Sequence, residues 1–311
     1  MAKKNSLTDL NLANSEYFLL GRTDQVRTLR LPFPSYRLLD DRYIRLTEAG
    51  ELSRQHAAVN DDVLVYAEMD ARTAWAGFCI GRAQRLEAED PTRLVDAVRQ
   101  AGLALAQGWF HFPHRVEYDA LIDRWVGLVL RTMKHRPSWQ SVLCELPVGQ
   151  EPAIHSLRLA MTMGYVASVL AWTDRTQEQM IHAALGHDIG YSLDELPGGH
   201  AHVSAGLALL RTRRSLSETV YFGILHHHER GDGGGAPFGL KAAQIPWSAQ
   251  ILGLIDAWDE QEQITGQSSV ILSKWHRFLE RDGYHFGTRW QDSITQILES
   301  TLSQSIHATT P

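Results

Sequence analysis

Residues 226–237 read HHHERGDGGGAP: three histidines and a glutamate run into a glycine-rich loop closed by proline. Such a run can be a solvated turn, a phosphate cradle or half of a metal site, and the rest of the chain decides among them. Of the 15 histidines, several keep company with carboxylates in segments of helical periodicity. Glu151 and His155 stand at i and i+4, so their side chains can share one helix face. His187-Asp188 closes IHAALGHD, with Gly190 following; His202 opens the next helix, with Gly206 four residues on. His227, His228 and Glu229 end a further helix, and Asp256 and Asp259 lie within LGLIDAWDE. Burying polar groups at helix ends without partners is costly, so a shared metal centre is the economical explanation. Imidazole and carboxylate donors suit Fe, Mn, Zn or Ni, and the lack of cysteine ligands argues against a structural zinc. Asp188 is placed to bridge, the usual means of holding two ions about 3.5–4 Å apart. His111, His114, His276 and His285 sit in ordinary loop or C-terminal contexts and carry no such signal.

The elements that must position these groups are mostly helical. Apolar residues at three- and four-residue spacing predict helices over 151–172, 177–187, 202–212, 217–228, 248–263, 269–281 and 289–303, with loops at 188–201 and 229–246. A further helix is predicted over 118–133, ended by Arg136-Pro137. Upstream, DVLVYAE from Asp62 and the run Trp75-Ala-Gly-Phe-Cys-Ile predict strands. Asp90-Pro91 then caps a helix with Leu94, Val98 and Leu105 on one face and Gly108 as terminator. The expected organisation is α+β: a small mixed α/β domain over 1–115 that regulates or docks, a connecting helix and linker over 116–150, and an all-α domain over 151–311.

With 44% hydrophobic residues the 311-residue chain can bury a large core, and two domains are the natural expectation. A net charge of -6 gives no reason to expect duplex nucleic acid as a partner. Two cysteines, Cys79 and Cys144, are too few for a disulfide framework and suit a reducing cytoplasm. The N-terminal lysines are followed by no apolar run, so no secretory signal is expected, and no stretch approaches the roughly 20 apolar residues of a membrane span. A cytoplasmic protein is the expectation.

The ordered motifs resemble the HD-GYP family, the HD-domain metallohydrolases that degrade cyclic di-GMP. His155 matches the family's first histidine, HDIGY at 187–191 its HDxGK motif, and HVSAG at 202–206 its HxxxG element. HHERGDGGGAPFGL at 227–240 is similar to HHExxDGxGYPxGL, and IPWSAQILGLIDAWDE places the family's last ligand aspartate on Asp256. DGYHFGTRW at 282–290 resembles the late G-x-x-F-D-P element. The resemblance covers 151–300. It implies an HD-type helical bundle and two divalent ions, Fe or Mn, held by His155, His187, Asp188 and Asp256 and by Asp188, His202, His227 and His228. His187 and Asp188 would form the catalytic pair, and a metal-bridging hydroxide would cut cyclic di-GMP to linear pGpG and then GMP. Some family members carry a third metal on a glutamate four residues before the first histidine. Glu151 fits that role, or that of a carboxylate favoured by the helix dipole. Tyr191, Arg230, Gly233, Gly234, Gly235 and Pro237 are the expected substrate contacts, with Glu229 orienting a ligand histidine and His226 packed or exposed.

Three positions depart from the family pattern. The lysine of HDxGK is Tyr191, the tyrosine of GYP is Ala236, and the basic DALTSxRPYR stretch is replaced by acidic DEQEQITGQS at 259–268. Arg158, Arg230 and Lys241 are the cations that could compensate. The ligands are kept while the recognition residues are changed. This leaves three readings: a cyclic di-GMP phosphodiesterase, a phosphohydrolase on another nucleotide or phosphoester, and a metal-loaded sensor or adaptor. Partners of the last would include a diguanylate cyclase or a second copy of the chain.

Overall fold

The computed structural model describes residues 17–22, 29–39, 42–50, 64–143, 146, 148–193 and 199–307. The N-terminal lysines, the start of the DVLVYAE strand, Cys144 and the middle of the 188–201 loop lie outside the described residues. The chain divides into two compact units, Met1–Phe78 and Cys79–Pro311.

In the first unit, β1 (Tyr17–Arg22), β2 (Ser35–Leu39), β3 (Arg42–Thr47) and β4 (Leu64–Glu68) form one antiparallel sheet in the order β1-β4-β2-β3. Period-2 alternation drives it: Phe18 and Ala67 turn to one face, where Leu31, Phe33, Trp75 and Phe78 cover them. The expected strand at Trp75-Ala-Gly-Phe-Cys-Ile is instead part of α1 (Arg72–Glu89). Ala76, Ile80 and Ala83 are fully buried there, at i, i+4 and i+7, so helical periodicity overrides the local β-forming composition.

The second unit is all helix: α2 (Leu94–His111), α3 (Glu117–Lys134), α4 (Trp139–Leu143), α5 (Pro152–Val169), α6 (Asp174–Gly186), α7 (Ala201–Arg213), α8 (Glu218–Leu225), α9 (Trp247–Glu262), α10 (Ser268–Asp282) and α11 (Thr288–His307). The boundary thus falls at 78, not 115. α2 and α3 pack directly on α5 and belong to the helical unit rather than to an N-terminal domain and linker. Gly108 does not end α2; the helix runs on to His111, and the Tyr118 hydroxyl occupies the space a Cβ at 108 would need.

α5 is the axis of the unit. Every residue from Ala153 to Ala167 is buried, as expected of a helix apolar on all sides. Pro152 starts it, while Thr173 and Ser217 cap α6 and α8 by accepting the amides of Thr176 and Val220. Trp258 on α9 lies between Trp139 and Trp275, with ring centroids at 6.3 and 4.8 Å. All three are fully buried, and each contributes about 2–3 kcal/mol of transfer free energy. This aromatic column fixes α9 against α4 and α10 and so places the aspartates that α9 carries.

Candidate metal centre

The motif residues sit at helix ends and on inner helix faces. His155 is on the second turn of α5, and Asp256 is in the middle of α9. His187 and Asp188 follow the end of α6, His202 lies in the first turn of α7, and His227 and His228 follow α8. Two close approaches bring them together. A Cβ on Gly190 would lie 1.9 Å from the His202 carbonyl oxygen, and one on Gly253 2.2 Å from that of His227, both far inside van der Waals contact. Glycine is required at both positions for the ligand-bearing segments to touch.

The side chains converge in two groups that share one wall. His155, His187 and Asp256 form the first; Asp188, His202, His227 and His228 form the second. His155 Nε2 is 2.9 Å from Asp256 Oδ1, and His187 Nε2 is 3.5 Å from the same oxygen. Asp188 spans the groups: its Oδ2 lies 3.4 Å from His187 Nε2 and 4.0 Å from His155 Nε2, while its Oδ1 lies 3.2 Å from His202 Nε2 and 3.9 Å from His227 Nε2. His202 Nε2 and His228 Nε2 are 3.1 Å apart.

Backbone contacts set the tautomers. His187 Nδ1 donates to the Ala184 carbonyl at 2.9 Å and His227 Nδ1 to that of Ile224 at 2.6 Å, which points each Nε2 inward. His155 Nδ1 is held by Asp259 at 2.7 Å, and Asp259 also accepts from Arg158 and from the Ile264 amide. Buried His187 Nε2, His227 Nε2, Asp188 Oδ1 and Asp256 Oδ2 make no hydrogen bond within the protein. Each such atom costs about 1–3 kcal/mol when left unpaired. Imidazole nitrogens and carboxylate oxygens that converge with their hydrogen bonding unfilled fit a divalent-cation site, at which a protonated histidine would give up its proton to the incoming ion.

The electrostatics divide the centre: without a metal, the aspartates favour a proton on His155 and His187, while His227 and His228 are neutral. Burial disfavours the cationic form of His155, but its hydrogen bonds to Asp256 and Asp259 outweigh this and hold its pKa up to about 9. At His187 burial is likewise outweighed by Asp188 and Asp256. Burial of Asp188 and Asp256 is outweighed by the imidazoles that face them, so both stay ionised far below the usual carboxylate range. Burial pushes His227 down to about 4 and, with the neighbouring His227, His228 down to about 2. Two neutral imidazoles facing an ionised carboxylate are ready to ligate.

The remaining expected residues fall elsewhere. Glu151 is exposed at the N-cap of α5 and joins neither group; its placement matches the helix-dipole role. Glu229 is buried; its oxygens accept the Phe238 and Leu240 amides at 2.7 and 2.8 Å, and the imidazole beside it is that of His226, 3.9 Å away, rather than one of the clustered histidines. His226 is packed against Phe222 and Phe238. Gly233 takes a left-handed turn with φ +85°, the Gly234 amide donates to Asp232, and Gly235 packs against the Glu229–Arg230 backbone; Pro237 is exposed. Arg158 is buried and paired to Asp259, Lys241 donates to the Asp232 carbonyl, and Arg230 lies over the Phe286 ring.

Tyr191 stacks on His202, with ring centroids 4.1 Å apart and 15° between planes. Burial, and then Asp188, Glu260 and Asp256, push its hydroxyl up to about 12, so it remains a donor. Tyr191, His155, Asp188 and Glu260 line a cavity of about 330 Å³ beside the ligands. Partial burial, followed by Asp256 and Asp188, pushes the Glu260 carboxyl up to about 7. A larger, more open hollow of about 580 Å³ beside Arg211, Arg214 and Tyr221 is lined by none of these residues. Sequence reasoning did not assign Asp259 and Glu260. The D-x-x-D spacing in α9, which sets Asp256 and Asp259 on one helix face, was the available signal for the former.

Seven side chains from five helical segments, four of them with an unpaired inner atom, define a class: a helical domain whose His/Asp clusters could hold divalent ions, which supports metal-dependent phosphohydrolysis. The family model described as "HD domain" matches residues 111–269. Among solved structures, Bd1817, an HDG"Y"P protein from Bdellovibrio bacteriovorus, superposes with a TM-score of 0.64 at 16% identity, covering 91% of this chain and 99% of its own. A search of curated proteins returned no match. The chain belongs to the HD-domain family, and its fold is HD-GYP-like. Among the described residues no helix is long and apolar enough to cross a membrane.

Proposed function

We propose that the protein is a metal-dependent phosphodiesterase that hydrolyses cyclic di-GMP to linear pGpG and GMP. The observation that carries this reading is Asp188, whose two oxygens face two separate groups of histidines and aspartate. His155, His187, Asp188 and Asp256 would hold one divalent ion, and Asp188, His202, His227 and His228 the other, with Fe or Mn suited to such N/O donors. Bound there, the ions would supply an acidified water and neutralise charge on the phosphodiester oxygens. The chain's own contribution is positional. His187 and Asp188 fix the reacting position, and Tyr191 offers a hydroxyl proton at the cavity wall where the related motif has lysine. The loop carrying Gly233, Gly234, Gly235 and Pro237, with Arg230 at its base, stands next to His228 in sequence and supplies backbone to the substrate.

A second reading, a phosphohydrolase on a less anionic phosphoester or a slow cyclic-dinucleotide sensor, draws on the acidic Glu260 in the cavity wall. The test is protein purified anaerobically, loaded with Fe or Mn, and assayed on cyclic di-GMP with product analysis. Turnover to pGpG is expected. Full metal occupancy without turnover selects the sensor, with a diguanylate cyclase or a second copy of the chain as its partner. Asp188→Ala should lose both ions and all hydrolysis, and two ions retained in that variant would refute the bridging role.

A further inference from the structure

The hollow at the far end of α7 shares no residue with the metal centre and carries positive charge that the protein does not match. Arg211, Arg214, Ser215, Leu216 and Tyr221 line it, and its volume of about 580 Å³ falls within the roughly 300–1,000 Å³ of small-ligand pockets. Arg214 donates to Asp123 at 2.7 Å, but Asp123 also meets His182 at 3.0 Å, so one carboxylate is shared between two side chains. Arg211 is exposed and makes no ion pair or hydrogen bond among the described residues; its guanidinium rests 5.9 Å from the centroid of the Tyr221 ring. The dipoles of α7, which ends here, and α8, which starts here, oppose each other, so the arginines decide the sign of the hollow.

We infer that this hollow binds a small organic phosphate with an aromatic body, a nucleoside phosphate in chemical class, at an effector site separate from the metal centre. A guanidinium offers paired N–H donors in a planar fork that matches phosphate oxygens. Arg211 and Arg214 stand three residues apart, on one side of the helix end, so both can reach one phosphoryl group. When Arg211 turns to the phosphate it leaves the face of Tyr221, and an aromatic ring can take its place with Leu216 alongside. Nine residues, about 14 Å of helix, separate Arg211 from His202, so hollow and centre can be filled together. Tyr221 lies on α8, which runs on into His227 and His228. A ligand held between Arg211 and Tyr221 therefore ties together the two helices that bring His202, His227 and His228 to the second group.

The test needs no turnover. The full chain, loaded with Mn²⁺ and freed of unbound ion, is titrated calorimetrically with ADP, pyrophosphate and adenosine. ADP should bind tighter than pyrophosphate by about fivefold or more, the low end of one base–aromatic stack, and adenosine should bind more weakly than either. Arg211→Ala should weaken ADP by about tenfold or more, the scale of hydrogen bonds to a charged group. Its Tm should stay that of the parent, because the side chain is exposed and unpaired. Arg211→Lys keeps the charge without the fork and should fall between the two. Tyr221→Leu should bring ADP down to the level of pyrophosphate. The inference is overturned if ADP does not bind, or if pyrophosphate or adenosine binds as tightly as ADP. It is also overturned if Arg211→Ala leaves ADP affinity within about twofold of the parent, since the phosphate would then sit at the metal centre.

Discussion

Asp259→Asn separates what holds the metal ligands from what holds the fold. Asp259 receives His155 Nδ1 at 2.7 Å, Arg158 Nε at 2.8 Å and Nη2 at 2.6 Å, and the Ile264 amide at 2.7 Å, all in a fully buried position. Asparagine keeps the shape but replaces one acceptor oxygen by a donor. If the amide nitrogen faces His155, the imidazole must reverse its tautomer and present Nε2–H to the centre, where a lone pair is needed. If it faces the other way, donors meet at Arg158 and Ile264. Orienting carboxylates of this kind are worth about 10–100-fold in metal affinity, or roughly 1.4–2.8 kcal/mol. Breaking the buried pair with Arg158 costs about 3–5 kcal/mol, which for a domain of this size lowers Tm by roughly 6–20 °C. Thermal unfolding and Mn²⁺ competition against a chromophoric chelator read the two effects separately. Arg158→Gln is the control: it should lower Tm while leaving metal affinity far less changed. If Asp259→Asn lowers Tm but shifts metal affinity by less than about threefold, Asp259 serves only Arg158 and the orienting role is wrong.

Two further perturbations test other parts of the structure. Gly190→Ala places a methyl on the His202 carbonyl oxygen and must push the turn after Asp188 away from α7. Overpacking of this kind costs about 1–3 kcal/mol, and metal stoichiometry by plasma emission should fall with it; two tightly held ions in the variant would show that the contact yields freely. Away from the centre, Asp123 on α3 is held down to about 2 by its hydrogen bond to His182 and then by Arg214. A depressed carboxyl stabilises the fold above its unfolded value of about 4, and that contribution is lost as pH falls from about 4 through 2. Because the Asp123 side chain is 54% exposed, Asp123→Asn should cost no more than about 1 kcal/mol at pH 7. The difference in urea midpoint from the parent should shrink toward zero near pH 2, and a difference that grows in acid would refute the assignment.

The helical half was legible from its apolar period, and the residues of the candidate site from the order of polar motifs along it. The family resemblance singled out His155, His187, Asp188, His202, His227, His228 and Asp256, and these seven side chains gather in two groups that could each hold an ion. What failed was local. The WAGFCI run looked β-forming because aromatic and branched residues suit strands, but burial of Ala76, Ile80 and Ala83 settled it as helix. The boundary at 115 was misplaced because the packing of α2 on α5 is a long-range contact with no mark in composition. Glu229 and Arg158 could not be assigned for the same reason: their partners are the amides of Phe238 and Leu240, and an aspartate 101 residues away. Glu260 was visible only as part of the acidic stretch 259–268, and the cavity shows what it lines.

The Glu229 clamp makes the histidine pair and the glycine loop a single lever. Only one residue separates His227 from the carboxylate that grips the Phe238 and Leu240 amides. Any tightening of His227 and His228 around a cation is therefore transmitted to backbone some ten residues further along. Those two amide protons, which touch no ligand, should exchange with solvent more slowly once the centre is filled. Occupancy of the site can then be read from positions that neither bind metal nor meet substrate.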